Sequence, residues 1–133
     1  MKIYGIGTDI IDVNRIKKSF KKKNFINRIF SKEEIKKCEK IKNICNCFAK
    51  RFAAKEAFSK ALGTGISNGI NLNEIIVLNN SSGKPYLKLT GKTKATITKK
   101  FRNKKIKISL SLSDEVNYAV AFVTISLWLK KKY

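Results

Sequence analysis

The stretch that decides the fold is residues 51–65, with the sequence RFAAKEAFSKALGTG. Ala49, Ala53, Ala57 and Ala61 recur at every fourth position, which is the spacing of one row on a helix. Such a row of small side chains lets another element approach closely. Gly63 follows the last apolar residue and is expected to end the helix in the left-handed conformation. The stretch therefore predicts a long central helix with one smooth packing face.

Glu56 and Lys60 are also four residues apart, so they share a face of this helix. Such a pair is often a surface ion pair worth a few tenths of a kcal/mol. It is alternatively part of a functional site, if a second carboxylate comes close. Both interpretations are open at this point.

A second carboxylate lies in the first strand, residues 3–11, where Asp9 shares a face with Gly5 and Gly7. Glycine within a strand often marks close approach by a ligand or another backbone. We expect these glycines to leave open space beside the Asp9 carboxylate. The alternative is that Asp9 only begins a turn.

The rest of the chain alternates helices and strands. We predict a helix at 13–23 capped by Asp12, a helix after the capping box of Ser31 and Glu34, a hairpin of strands 74–78 and 86–89, and a helix at 93–101 with Ala95 and Phe101 inward.

Strands at 106–112 and 118–129 close the chain. The last strand is apolar on both faces, so it is central in the sheet or lies at a subunit interface. These elements predict an α+β fold in a single domain, residues 1–133, with a mainly antiparallel sheet wrapped on the long central helix.

The charge balance indicates an acidic partner. Thirty Lys and Arg residues stand against nine Asp and Glu, which gives a formal net charge of +21. Nucleic acid, an anionic membrane, a phosphorylated ligand or an acidic protein would each suit this charge. An AT-rich genome explains the excess of lysine equally well. A small basic nucleic-acid-binding protein is the competing hypothesis, although no nucleic-acid recognition motif is present.

The three cysteines, Cys38, Cys45 and Cys47, fit neither a zinc site nor a disulfide framework by their spacing, and there is no histidine. We expect free thiols in a reducing compartment. No signal peptide is visible, and the longest apolar run is too short to span a bilayer, so a soluble protein without a membrane role is expected.

Two segments together resemble the holo-acyl-carrier-protein synthase family of small bacterial-type 4'-phosphopantetheinyl transferases. They are GIGTDI at residues 5–10 and the central stretch, followed by GKP at 83–85 and YAVA at 118–121. The resemblance covers residues 3–123. It implies the 4'-phosphopantetheinyl transferase fold and magnesium-dependent transfer of 4'-phosphopantetheine from coenzyme A to a serine of apo acyl carrier protein, a step in fatty acid biosynthesis. Adenosine 3',5'-bisphosphate leaves.

The resemblance also implies roles for single residues. Asp9 and Glu56 match the metal ligands, and Lys60 would neutralise charge on the leaving oxygen. Coenzyme A would be bound by Arg51, Lys55, Gly63, Thr64, Gly83, Lys84 and Pro85. The acidic carrier protein would dock on Arg15, Lys18, Lys22 and Arg28. A solvated charged face is the alternative for these last four cations.

One position departs from the pattern, because Asp114 stands where many members of the family have histidine. A carboxylate cannot donate the hydrogen bond of a histidine and would repel a phosphate, so Asp114 is left out of the catalytic set. An inactive relative of the transferases is a further hypothesis on this ground. The resemblance implies homotrimers with sites between subunits. It favours the cytoplasm, or a plastid-like organelle with the targeting presequence absent.

Overall fold

The computed structural model describes residues 1–66 and 69–129. Its helices are α1 (Val13–Ser19), α2 (Phe25–Ile29), α3 (Lys32–Glu39), α4 (Ile44–Leu62) and α5 (Gly91–Lys100). Its strands are β1 (Lys2–Asp12), β2 (Ile75–Asn79), β3 (Pro85–Leu89), β4 (Ile106–Asp114) and β5 (Tyr118–Leu127). No helix among the described residues is long and apolar enough to cross a membrane.

The predicted α+β architecture is confirmed. The strands β1, β5 and β4 form an antiparallel sheet in that order, and β2 pairs with β3 as an antiparallel hairpin. Of the two alternatives for the last strand, the structure shows the central position, since β5 lies between β1 and β4. Helix α4 packs across the inner face of this sheet, and its end at Gly63 has the expected left-handed backbone, with φ of 82°.

The alanine row of α4 lies directly on β1. Ala53 and Ala57 are fully buried. A Cβ atom added to Gly7 would overlap the carbonyl oxygen of Ala57, and one added to Gly5 would overlap that of Ala61. The expectation that these glycines leave open space is therefore wrong, because the backbone of α4 fills it. Glycine on one element and alanine on the other allow the two backbones to meet.

The outer face of the same sheet is apolar and exposed. Ile6 and Ile10 of β1 are 61% and 64% exposed, and Phe122 of β5 is 46% exposed. Val120 lies opposite Ile10 in the β1–β5 register. A sheet with one face on α4 and the other open to solvent has a surface that another chain can cover.

Several predicted boundaries change. Asp12 caps α1 as expected, accepting a hydrogen bond from the Asn14 amide at 2.9 Å. The helix ends at Ser19 instead of continuing to Lys23, because a lysine run follows and Asn24 takes a left-handed backbone with φ of 63°. In α5, Phe101 is inward as predicted, but Ala95 is exposed and Ile97 is buried in its place.

The cysteine prediction is wrong for two of the three residues. Cys38 of α3 and Cys47 of α4 form a disulfide with a Cα–Cα distance of 5.5 Å. Cys45 is free and half-buried. The capping box of Ser31 and Glu34 starts α3 as predicted. The two helices pack side by side, which brings together cysteines whose sequence spacing gave no sign of pairing.

Candidate active site

The close packing of α4 on β1 brings Asp9 and Lys60 together. The Lys60 Nζ donates to Asp9 Oδ1 at 3.1 Å and to the carbonyl oxygen of Thr8 at 2.9 Å. Glu56 lies one turn earlier on the same row of α4. The structure therefore brings Asp9 and Lys60 into contact and places Glu56 on the same row of α4 as Lys60.

The pKa of Glu56 reflects both its burial and its proximity to Asp9. Burial raises the pKa of Glu56 above its ordinary value, and the negative charge of Asp9 raises it further. The positive charges of Lys60 and Arg15 oppose this pKa shift. A cation bound beside Glu56 and Asp9 would offset the repulsion that raises the pKa of Glu56, so this pair of carboxylates is a candidate cation site.

The orphaned oxygen of Asp9 supports the same view. Asp9 Oδ2 is buried and has no hydrogen-bond partner among the described residues. A buried carboxylate oxygen without a partner is costly unless a ligand completes it. Magnesium prefers oxygen ligands and is usually held by one or two carboxylates together with phosphate oxygens and water. The donor set of Asp9 and Glu56 therefore fits magnesium.

Lys55 does not belong to this site, which corrects the prediction that it lines the coenzyme A site. Its Nζ is fully buried and donates to Glu34 Oε1 at 2.6 Å, and to the carbonyl oxygens of Leu72 and Ile75 at 2.8 and 2.6 Å. Burial lowers the pKa of Lys55 to about 8, against the opposing effect of Glu34. Lys55 is thus a structural cation that ties α4 to α3 and to the start of β2.

The partner of Lys55 has a double role that the sequence did not reveal. Glu34 was predicted only as the capping residue of α3, and it does accept a hydrogen bond from the Ser31 amide at 3.0 Å. Its second carboxylate oxygen accepts from the Val77 amide of β2 at 3.2 Å. No sequence pattern indicated this pairing, because the two residues are 21 positions apart along the chain.

Arg51 lies on the other flank of α4 from Glu56. Five residues of helix turn the side chain by about 140° around the axis. The guanidinium donates to Cys47 Sγ at 3.1 Å and to Asn79 Oδ1 at 3.2 Å, and burial lowers its pKa. The expectation that Arg51 extends the lining around Glu56 is therefore wrong. Its proposed contact with coenzyme A stays a prediction.

Arg51 instead borders a cavity of about 550 Å³ between α4 and the β2–β3 hairpin. We call it the second cavity, because it is separate from the site at Asp9 and Glu56. Gly83 in the hairpin turn also lines this cavity. Sequence reasoning did not assign the other polar residues of this lining to a site, among them Asn46, Lys50, Asn79 and Asn80. Their only sequence signal was a high content of asparagine.

The other two predicted members of the GKP segment lie beside a neighbouring cavity. Lys84 is exposed in the turn, and Pro85 is the first residue of β3. Both line a cavity of about 390 Å³ that reaches across to Lys107 of β4. Gly63 and Thr64 are exposed at the opposite end of α4, one turn beyond Lys60. The predicted coenzyme A residues therefore form two separate groups in one chain.

Asp114, the residue that departs from the family pattern, lies at the second cavity. Its carboxylate pairs with Lys50 at 3.3 Å and accepts a hydrogen bond from Asn46 Nδ2 at 3.0 Å. The negative charge is thus partly compensated by residues of α4. Asp114 does not contact Asp9, since the sheet separates the strands that carry them by β5.

The four predicted docking cations are all exposed. Arg15 and Lys18 lie on α1, Lys22 lies in the turn that follows, and Arg28 lies on α2. Arg15 is close enough to Glu56 for its charge to lower the pKa of that carboxyl group. One end of this basic surface therefore adjoins the carboxylate pair.

The chain is similar over nearly its whole length to known proteins. The chain is 48% identical over 125 residues to a holo-[acyl-carrier-protein] synthase of Pelagibacter ubique, covering 94% of this chain and 98% of the relative. It is 48% identical over 128 residues to a holo-[acyl-carrier-protein] synthase of Wolbachia pipientis subsp. Culex pipiens, covering 92% and 97%. A holo-(acyl-carrier-protein) synthase of Bacillus anthracis str. Ames, solved in complex with CoA (3',5'-ADP), superposes with a TM-score of 0.77.

That structure is 35% identical in sequence, and the match covers 94% of this chain and 97% of the other. The family model of the 4'-phosphopantetheinyl transferase superfamily matches residues 5–123, which include both predicted carboxylates and the GKP segment. The fold, the order of its motifs and these matches lead to one conclusion: this chain belongs to the 4'-phosphopantetheinyl transferase superfamily.

Proposed function

We propose that this protein is a holo-acyl-carrier-protein synthase. It transfers the 4'-phosphopantetheine arm of coenzyme A to a serine of apo acyl carrier protein and releases adenosine 3',5'-bisphosphate. The observation that carries the proposal is the joint placement of Asp9, Glu56 and Lys60 by the close contact of β1 and α4. The similarity over more than nine-tenths of the chain to holo-acyl-carrier-protein synthases supports the same activity.

The reaction forms one phosphorus–oxygen bond and breaks another. The serine oxygen attacks the phosphorus that carries the pantetheine arm, and the bridging oxygen departs with the nucleotide. Negative charge grows on that leaving oxygen, and the ammonium of Lys60 can stabilise it. The serine proton must also find an acceptor. Glu56, whose pKa is raised by burial and by Asp9, is one candidate base, and a metal-bound water is the other.

Magnesium dependence is part of the proposal. Asp9 and Glu56 would hold the ion, and the ion would supply positive charge that draws the diphosphate into place. Lys60 donates a hydrogen bond to Asp9 Oδ1, and Asp9 Oδ2 has no partner among the described residues. Asp9 can therefore keep Lys60 in place with one oxygen and bind a cation with the other.

The basic surface beside the site supports an acidic carrier protein as partner. Arg15 adjoins Glu56, and the exposed cations on α1 and α2 continue from it. A negatively charged helix that docks on them would bring its serine next to the carboxylate pair. Electrostatic complementarity of this kind raises the association rate and weakens with salt.

We further propose that each site is completed by a neighbouring subunit of a homotrimer. The carboxylates and the cavity at Arg51 and Gly83 lie on opposite flanks of α4, so one chain does not present both to a single coenzyme A. The exposed apolar face formed by Ile6, Ile10 and Phe122 offers a surface through which the subunits would associate. A fully active monomer at micromolar concentration, seen by light scattering, would refute this assembly.

The transfer itself is tested by mass spectrometry of apo acyl carrier protein incubated with coenzyme A, magnesium and this protein. The carrier protein should gain the mass of one phosphopantetheine group. An unchanged mass with the folded wild-type protein would refute the proposed function.

The shared site is tested by mixing two inactive variants. Asp9→Asn removes a carboxylate, and Lys84→Glu inverts a charge at the hairpin turn. In mixed trimers, an intact Asp9 of one subunit meets an intact Lys84 of another, so part of the activity should return. The control is the variant that carries both Asp9→Asn and Lys84→Glu in every subunit, and it should stay inactive. No recovery in mixed trimers would place the whole site within one chain.

A further inference from the structure

The described part of the structure has an amphipathic groove that the proposed reaction does not use. It lies between β3, β4 and α5 and has a volume of about 460 Å³, which is within the range of roughly 300–1,000 Å³ for small-molecule sites. Two strands that each pair on one side only form its walls, since β3 pairs with β2 and β4 with β5. We call this cavity the β3–β4 groove.

The interior of the β3–β4 groove is apolar and mainly aliphatic, with Phe101 as its one aromatic lining residue among the described residues. Leu87 and Leu89 project from one face of β3, and Ile106 and Ile108 project from one face of β4. These four side chains remain half-buried within the described chain. A lining of this kind stabilises a bound alkyl chain through burial of apolar area.

One rim of the groove is cationic and polar. Lys94 and Lys104 line it and are exposed, together with Thr98 and Asn103. No acidic residue occurs in the sequence between Glu74 and Asp114. The basic residues of that interval are Lys84, Lys88, Lys92, Lys94, Lys99, Lys100, Arg102, Lys104, Lys105 and Lys107. The positive charge at the rim is therefore uncompensated along this part of the chain.

From the apolar lining and the cationic rim together, we infer that the β3–β4 groove binds a single alkyl chain with an anionic head, such as a long-chain acyl carboxylate or an acyl group on a phosphate-bearing carrier. The alkyl chain of the ligand lies on Leu89 and Ile108, and its anionic head pairs with Lys94 and Lys104. A purely polar polyanion would gain nothing from the aliphatic walls, and a neutral alkane nothing from the lysines.

The test is binding of the fluorescent fatty acid cis-parinaric acid to the wild-type protein, below the concentration at which the probe forms micelles. Saturable binding of one probe per chain is expected. Lys94→Glu/Lys104→Glu should weaken binding by at least about tenfold, because charge-assisted hydrogen bonds are worth about 1.5–3 kcal/mol and each 1.4 kcal/mol is tenfold. Lys32→Glu/Lys36→Glu on α3 makes the same change of net charge and should leave binding unchanged.

A second variant tests the apolar part without relying on charge. Leu89→Trp fills the groove with a larger apolar side chain and should abolish saturable binding, while circular dichroism shows that the fold is kept. Asp9→Asn should bind the probe like the wild type, which separates this site from the transfer reaction. Competition then distinguishes the sources: whichever of a free fatty acid and a long-chain acyl-coenzyme A displaces the probe at the lower concentration is the preferred ligand, and coenzyme A itself should not displace it.

Three results would overturn the inference. One is absence of saturable binding to the wild-type protein. The second is an equal loss of binding in the α3 control variant, which would indicate general attraction of an anion to a basic protein. The third is full displacement by coenzyme A alone, which would assign the groove to the donor substrate.

Discussion

The ammonium of Lys60 lies 3.1 Å from Asp9 Oδ1 and joins the central helix to the first strand at the candidate active site. The side chain of Asp9 is 14% exposed, whereas that of Lys60 is 55% exposed. Lys60 can thus move toward a substrate phosphate, while Asp9 is fixed by the strand. This asymmetry suits a metal ligand on a rigid element and a mobile cation beside it.

We expect Lys60→Ala to lower kcat by about 100-fold, the usual effect of removing one group that stabilises developing charge. The KM for coenzyme A should change much less, since Lys60 acts on charge that forms in the transition state. Steady-state kinetics at saturating carrier protein measures both. A rise in KM with unchanged kcat would show that Lys60 binds the ground state and the transition state equally, and would contradict this role.

The raised pKa of Glu56 predicts a pH-dependent stability of the metal-free protein. Because the folded-state pKa lies above the ordinary value of 4.5, the contribution of Glu56 to folding is fully present below that value and is lost as pH rises through the folded-state pKa. Glu56→Gln should therefore be more stable than the wild type at neutral pH without metal. Urea unfolding at several pH values, in chelator, measures the difference.

Magnesium should reverse this order of stability and make the wild type more stable than Glu56→Gln. It binds the carboxylates of the wild type and stabilises the folded state by mass action, whereas Glu56→Gln has lost a ligand. The unfolding free energy of the wild type should rise with added magnesium, and that of Glu56→Gln should rise much less. Equal stabilisation of both proteins would contradict the assignment of Glu56 as a ligand.

Lys55→Met tests the correction made to the predicted coenzyme A site. Removal of one partner from a buried ion pair leaves the other charge uncompensated, which costs about 3–5 kcal/mol. We expect a marked loss of stability in thermal unfolding, with an unchanged KM for coenzyme A in the fraction that stays folded. A stable Lys55→Met variant with a raised KM for coenzyme A would show that Lys55 contributes to the coenzyme A site after all.

Gly7→Ala should be destabilised by about 1–3 kcal/mol or more, as is typical of overpacking. The added Cβ would overlap the Ala57 carbonyl and push α4 away from β1. Because this contact aligns Asp9 with Lys60, activity should fall together with stability. Ala95→Ser, at an exposed position of α5, is the control and should change neither quantity. Wild-type stability of Gly7→Ala would show that the two backbones are not held in contact.

The sequence was sufficient for the elements whose hydrophobic periodicity is strong. The alanine row predicted both α4 and its packing face, and the doubly apolar last strand predicted its central position. Periodicity gives the face on which a residue lies, but not what meets that face. Glycine beside Asp9 was therefore equally compatible with a ligand and with a helix backbone, and only the structure decides for the backbone.

The same limit explains the errors at Arg51 and Lys55. Both are cations near Glu56 in the sequence, yet each turns to a different part of the structure, Arg51 to Asn79 and Lys55 to Glu34. The partners are 28 and 21 residues away along the chain. Pairings over such separations depend on how α3, α4 and the hairpin pack, which no local pattern contains. The disulfide between Cys38 and Cys47 depends on the same helix packing.

The most direct test of the central claim is a single-turnover transfer assay with Asp9→Asn and Glu56→Gln, read as the mass of the carrier protein at fixed magnesium and coenzyme A. If the two carboxylates jointly hold the metal that serves the transfer, each variant should remain folded and lose the mass gain, and the wild type should lose it on addition of a chelator. Mass gain at the wild-type rate in either folded variant would contradict the account.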